Sequence, residues 1–106
     1  MSGLDNTSYT VRSVTAATTA TNNDYFISVT PGANPTNVAL PAPTSVQPGR
    51  VYVVRRAATA TNVVNATGDI NGSAAATHAV GAAGAISATT FVNTGTTWLS
   101  DKASGS

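Results

Sequence analysis

The hydrophobic residues of this chain fall in short runs separated by turn-forming residues, and they do not form helical stripes. Between residues 24 and 30, for example, Tyr25, Ile27 and Val29 occupy alternate positions, as they do in a strand with one buried face. Gly, Pro and Asn close most of the runs, and these residues favour turns. The pattern predicts about eight short strands, over residues 8–15, 24–30, 36–40, 50–57, 61–66, 74–80, 86–93 and 97–100.

One alanine-rich stretch, "SAAATHAVGAAGAISA" over residues 73–88, fits two kinds of structure. Alanine favours a helix, but Gly81 and Gly84 would each cost such a helix about 1 kcal/mol. The apolar residues of the stretch also show no sustained helical spacing. We therefore expect strand and loop here.

This succession of short strands predicts an all-β fold, either an antiparallel β-sandwich or a jelly-roll-like domain. We expect an N-terminal arm over residues 1–15, the β-sandwich domain over 16–100 and a polar tail over 101–106. Apolar residues in the middle of the predicted strands, or next to their turns, are the expected core anchors. They are Ile27, Leu40, Val54, Phe91 and Trp98.

The strand "RVYVVRRA", over residues 50–57, is apolar on both of its faces until its arginines begin. Successive residues of a strand point to opposite sides. One face therefore carries Val51, Val53 and Arg55, and the other carries Tyr52, Val54 and Arg56. A strand with two apolar faces is normally covered on both sides. Since 106 residues supply one core, the second cover is expected from another subunit. Val51, Val53, Arg55 and Arg56 are thus predicted interface residues, with the arginines at the rim or paired with a neighbour's Asp.

The composition narrows the function classes. Charged residues make up 8% of the chain and the formal net charge is +1, so no field would attract nucleic acid or an anionic membrane. So little surface charge suits a protein that packs against copies of itself. The chain has no cysteine, which excludes disulfides and thiolate metal sites.

Candidate chemistry is sparse. The acidic residues are four Asp, and His78 is the single histidine. Asp69 is read as a turn residue rather than the start of a calcium loop, and His78 as an ordinary strand or loop residue. No cluster suited to catalysis or metal binding is visible. We expect a protein that is not an enzyme and has no cofactor.

Four segments, in this order, resemble a β-domain that is common in structural proteins of tailed bacteriophages. The carrying residues are Leu40-Pro41, Pro48-Gly49-Arg50 with Tyr52 and Val54, Asp69-Ile70-Asn71-Gly72, and Gly95 with Trp98. In the sequence they lie in "NDYFISVT", "NVALPAPTSVQPGRVYVVRR", "GDINGS" and "FVNTGTTWLS". The domain occurs in head decoration (cement) proteins, in head fibres and in tail-fibre modules.

The resemblance implies a homotrimer, because members of this group are typically trimeric. It favours a capsid decoration protein that binds the major capsid protein on the outer surface of the virion and is made in the host cytoplasm. The segment 1–15 would be the capsid-docking arm and would extend a sheet of the capsid protein by strand addition. Its expected contact residues are Leu4, Tyr9, Val11 and Arg12.

A second interpretation is a tail-fibre or receptor-binding module that recognises host surface glycans. Trp98, Tyr25 or Tyr52 would then provide the aromatic platform for a sugar. In neither interpretation do we expect nucleic acid or a membrane as a partner.

Overall fold

The computed structural model describes residues 10–32, 35–57, 62–82 and 84–106. Within these ranges the regular structure is β-strand apart from one turn of 3₁₀-helix at Pro43–Ser45, and no helix is long and apolar enough to cross a membrane. The predicted all-β fold is confirmed, and the alanine-rich stretch contains a strand. The strands are β1 (Thr10–Val14), β2 (Thr18–Thr19), β3 (Asp24–Val29), β4 (Thr36–Ala39), β5 (Val51–Arg56), β6 (Val64–Ile70), β7 (Ser73–Ala79), β8 (Ser87–Asn93) and β9 (Trp98–Ser100).

The first six strands form two parallel stacks. Strands β1, β3 and β5 lie side by side in parallel, and β2, β4 and β6 do the same. The chain passes from one stack to the other after β1, β3 and β5 instead of turning back in a tight hairpin. The predicted antiparallel arrangement is therefore wrong for this half of the molecule. Parallel neighbours cannot be joined by a tight hairpin and need such crossover connections.

The last three strands close the structure with three antiparallel pairs and one parallel contact, between β9 and β6. Strand β7 folds back on β6 through Asn71 and Gly72, whose φ angles of 54° and 85° give the left-handed turn that Asn-Gly favours in hairpins. Strand β8 pairs with β5 and with β9, and Trp98 of β9 meets Ile70 at the end of β6. The strand order β1-β3-β5-β8-β9-β6-β4-β2 forms a nearly closed, barrel-like sheet, with β7 attached to β6.

The core lies inside this curved sheet. All five expected anchors, Ile27, Leu40, Val54, Phe91 and Trp98, are buried there. The Tyr52 and Trp98 rings pack in the same cluster, with centroids 5.1 Å apart.

Buried polar side chains fix the long loop between β4 and β5 on this core. The indole Nε1 of Trp98 donates a hydrogen bond of 2.8 Å to the carbonyl of Pro41. The Nδ2 of Asn93, 2% exposed, donates to the carbonyls of Pro43, Val46 and Gln47. These bonds pair loop carbonyls that have no partner in a β-ladder, and the bond to Pro43 lies in the interior.

Candidate interaction surface

Strand β5 divides the inside of the molecule from the outside. Its inward side chains, which include Val54 and Arg56, are buried. Its outward side chains Val51, Val53 and Arg55 are only partly buried. Three of the four predicted interface residues therefore share the outward side of one strand, and Arg56 does not.

Neighbouring strands extend this outward side into a broad apolar surface. In the sheet register Val11 lies beside Phe26, and Phe26 beside Val53. In the next row Val51 lies beside Val92, and Val92 beside Leu99. We call this surface the outer face. It comprises Val11, Phe26, Val51, Val53, Val92 and Leu99, with Tyr25 at its margin.

Several side chains of the outer face, and Tyr25 at its margin, are largely exposed to solvent in the single chain. Val11 is 73% exposed, Leu99 48% and Val92 37%. Tyr25 is 42% exposed and lines a shallow depression together with Val51. These four are among the five large hydrophobic side chains that are exposed in the described part of the chain, so exposed apolar surface is concentrated here.

One end of the outer face is polar. Ser13, Ser28, Arg55 and Ala88 form the row beyond Val53, and the Nη1 of Arg55 donates a 3.1 Å hydrogen bond to the Oγ of Ser28. On the β9 side the margin carries Asp101.

Asp101 continues the β8–β9 ladder at that margin. Its backbone N–H donates to the carbonyl of Thr90 at 3.1 Å. Its Oδ1 accepts a hydrogen bond of 2.9 Å from the backbone N–H of Thr90. Arg55 on the outer face and Asp101 at its margin therefore carry opposite charges.

The outward side chains of β4 and β6, on the opposite side of the molecule, are different in kind. Asn37 and Asn65 are in register, and the Nδ2 of Asn65 donates to the Oδ1 of Asn37 at 3.3 Å. Ala39 and Thr67 form the next pair. This amide face carries small and polar groups where the outer face carries Val, Phe and Leu.

Arg56 does not reach a rim, and the expectation that it would contact another subunit is wrong. Its side chain is 1% exposed, and its guanidinium donates to the backbone carbonyls of Asn62, Ala82 and Ala85. The inward direction of its position on β5 forces this burial. Arg56 therefore holds the β5–β6 and β7–β8 connections within the chain.

The predicted docking arm is also partly built into the body of the protein. Residues 10–14 form β1, which pairs with β3, while Leu4 and Tyr9 lie outside the described residues. Arg12 points inward and binds both carboxylate oxygens of Asp24, at 2.8 and 3.1 Å. The charge of Arg12 is therefore paired within the chain, although its side chain is 34% exposed, and Val11 is 73% exposed. The docking role of both residues stays a prediction.

Asp24 is held in its charged form by these contacts. Burial by itself would raise the pKa of this carboxyl, but hydrogen bonds from the Thr21 backbone and from Arg12 outweigh burial and lower the pKa below its ordinary value. The result is a partly buried ion pair that fastens β1 to the start of β3.

Two of the three proposed sugar platforms are excluded by burial. Trp98 and Tyr52 are both 0% exposed, so neither ring offers a face to a ligand. Tyr25 is exposed, and Arg50, its neighbour in the shallow depression, also borders an open groove of 580 Å³. The remaining groove residues are mainly polar and comprise Asn22, Thr44, Ser45, Val46, Gln47 and Pro48.

The described residues contain no group of three or more potential metal ligands. Asp69 lies on β6, where the sheet register shifts between Gly68 and Ile70, so its assignment to a turn is wrong; its Oδ1 accepts a 2.7 Å hydrogen bond from the Oγ1 of Thr97. His78 is 4% exposed and lies edge-on to the ring of Phe91, at a centroid distance of 5.4 Å. Burial lowers the pKa of His78, and Asp101 opposes this shift only in part.

The feature that sequence reasoning missed is the extent of the outer face. The signal was present in "FVNTGTTWLS", where Phe91 and Asn93 point inward and Val92 between them must point outward. Comparisons of the chain with protein-family models, with curated proteins and with solved structures found no match.

Proposed function

We propose that this protein is a non-enzymatic structural subunit that assembles into a homotrimer through its outer face. We further propose that the trimer is a decoration (cement) protein on the outer surface of a bacteriophage capsid, which it stabilises. The observation that carries the first step is the outer face itself. The second step is supported by the sequence resemblance to phage structural proteins.

An uncovered apolar surface of this kind favours association. Monomeric proteins rarely leave a large contiguous apolar patch in water, and such patches commonly mark interaction sites. Burying a Val, Leu or Phe side chain stabilises a complex by about 1.5–3 kcal/mol before the entropy of association is subtracted. Val53 and Phe26 lie near the middle of the outer face, where a partner would exclude water from them.

The proposed trimer brings three copies of this surface together around one axis. In a cyclic trimer each subunit turns the same face toward the three-fold axis, so three apolar sheets enclose one common core. The amide face then points away from the axis, and Asn and Thr side chains suit that position. A sandwich or jelly-roll description of the subunit stays a prediction.

The capsid is the second partner in this proposal. Strand β1 ends the described sheet at one edge, and an edge strand has free backbone groups that a partner strand can pair with. The major capsid protein would bind at residues 1–15, of which Val11 is exposed. Binding to the assembled shell alone stabilises that shell by mass action.

Analytical ultracentrifugation at micromolar concentration tests the trimer. We expect a trimer for the unmodified protein and a monomer for Val53→Asp, since a buried charge would be introduced into each contact. Thr67→Asp, which places the same charge on the amide face, is the matched control and should leave the trimer intact. A monomeric unmodified protein would refute the proposal.

Co-sedimentation with capsids that lack the protein tests the virion role. The full chain should pellet with them, and a chain without residues 1–9 should form trimers but stay in the supernatant. A truncated chain that binds as tightly as the full one would rule out the docking arm. A full chain that never pellets would rule out the decoration role.

A second candidate function is glycan recognition, which the exposed ring of Tyr25 beside the polar groove favours. Binding on a glycan array that Tyr25→Ala abolishes, with the fold intact by circular dichroism, would support it. Ser45→Ala, in the neighbouring groove and without an aromatic face, is a control for nonspecific loss.

A further inference from the structure

Arg55 is a half-buried cation on an otherwise apolar strand face, and within the described part of the chain its guanidinium donates a hydrogen bond to the hydroxyl of Ser28. Among the described carboxylates, Asp24 is taken by Arg12 and Asp69 accepts from Thr97. Asp101 has one oxygen bound to the Thr90 N–H and is exposed to solvent. Covering the outer face would strip water from Arg55, and a cation buried without a counter-charge is costly.

We propose that the guanidinium of Arg55 pairs with the carboxylate of Asp101 in a neighbouring copy of the chain. This inference rests on the proposed association through the outer face and specifies the contact that aligns the copies. Each contact between two copies contains one such pair. A cyclic assembly therefore satisfies every Arg55 and every Asp101 in the same way.

The pair does not form within a single chain. Arg55 lies opposite Ala88 on β8, whereas Asp101 lies beside Thr90 two strands away from β5. Strand spacing and residue rise place the two backbones about 12 Å apart. The Arg55 side chain also leans the other way, toward Ser28 on β3.

Charge complementarity identifies a second copy as the occupant of the outer face. An unrelated partner would have to supply an acid opposite Arg55 and a base opposite Asp101, on an apolar surface of matching shape. A second copy brings both groups on the same surface. Opposite charges at defined positions also fix the register of two otherwise uniform apolar sheets.

A double-mutant cycle on association tests this pairing. Arg55→Gln keeps a donor for Ser28, and Asp101→Asn keeps an acceptor for the Thr90 N–H, so both remove charge with little change to the single chain. Sedimentation equilibrium at pH 8, where His78 is neutral, gives the association constants. We expect each single variant to weaken each contact about tenfold, and the double variant to be no weaker than either single one.

Charge exchange provides the second arm. Arg55→Glu and Asp101→Lys should each disrupt association, and the chain that carries both should regain it. Lys102→Gln, which alters the charge next to Asp101, is the control and should have no effect. If the effects of the single variants on association simply add, while the unmodified protein still associates, the Arg55–Asp101 ion pair is refuted. The proposed interface through the outer face is not affected by that result. A monomeric unmodified protein would refute both.

Discussion

The two sides of strand β5 have nearly the same composition but different surroundings. Inward, Val54 and Arg56 are buried against the rest of the chain, and each backbone carbonyl that Arg56 contacts belongs to a loop of the same molecule. Outward, Val53 and Arg55 are half-covered, and Arg55 contacts one serine. The inward side thus stabilises the fold, and the outward side is left for a partner. Residue type alone does not distinguish the two roles.

The largest expected difference is between the two arginines. Arg56→Ala should lower the free energy of unfolding by about 3 kcal/mol, because it removes charge-assisted hydrogen bonds to three loop carbonyls and leaves a cavity at a buried side chain. Arg55→Ala should lower it by less than about 0.5 kcal/mol. Urea denaturation in the Val53→Asp background, in which we expect a monomer, separates these effects from association. Equal losses for the two variants would contradict the assignment of Arg56 to the fold.

The two valines should differ in the same direction by a smaller amount. Val54→Ala empties part of the core and should cost about 2 kcal/mol of unfolding free energy in a monomeric background. Val53→Ala should cost less than about 1 kcal/mol there but weaken association in the otherwise unmodified chain. Denaturation and ultracentrifugation of both variants provide the check. A Val53→Ala chain that associates normally would count against the outer face as the interface.

Local sequence patterns were sufficient for most of the strands and for the core. Short apolar runs between turn residues located β3, β5 and β8, and the Asn71-Gly72 pair marks the β6–β7 turn by its need for left-handed backbone. The two-residue strand β2, at Thr18–Thr19, has no such signal. It pairs with β4 and so depends on residues far along the chain.

Parallel pairing and the fate of the arginines could not be predicted in the same way. Which strands lie next to each other in the sheet depends on where the crossover connections lead. The turn residues in the sequence do not show this. The alternation around Arg56 gives its direction, but which side of β5 faces the core is decided by strands elsewhere. Arg12 shows the same limit, because its partner Asp24 lies on the next parallel strand.

Strand β1 repeats the inward and outward contrast with an ion pair. Arg12→Gln should lower the unfolding free energy by about 1–2 kcal/mol, since it leaves the buried Asp24 carboxylate without its cation. Val11→Ala, on the exposed side of the same strand, should change it by less than about 0.5 kcal/mol.

The pH dependence of stability tests the same pair. The folded pKa of Asp24 lies below its unfolded value, so its contribution is complete above pH 4 to 5 and is lost as the pH falls through the folded pKa. Asp24→Asn should flatten the acid limb of a stability curve measured by denaturation at several pH values. An acid limb unchanged by Asp24→Asn would show that other carboxyls produce it.

The smallest expected effect concerns His78, an inward side chain of β7 with a buried Nε2 that has no hydrogen-bond partner. Burial lowers its folded pKa, so the unfolded chain takes up a proton first as the pH falls below about 6.5, and stability decreases from there. The slope cannot exceed about 1.4 kcal/mol per pH unit for one group. His78→Gln should remove the slope between pH 7 and 5 in urea denaturation, whereas Thr77→Gln, on the exposed side of β7, should retain it. If the His78→Gln variant kept the slope, a group other than His78 would cause the pH dependence of stability in this range.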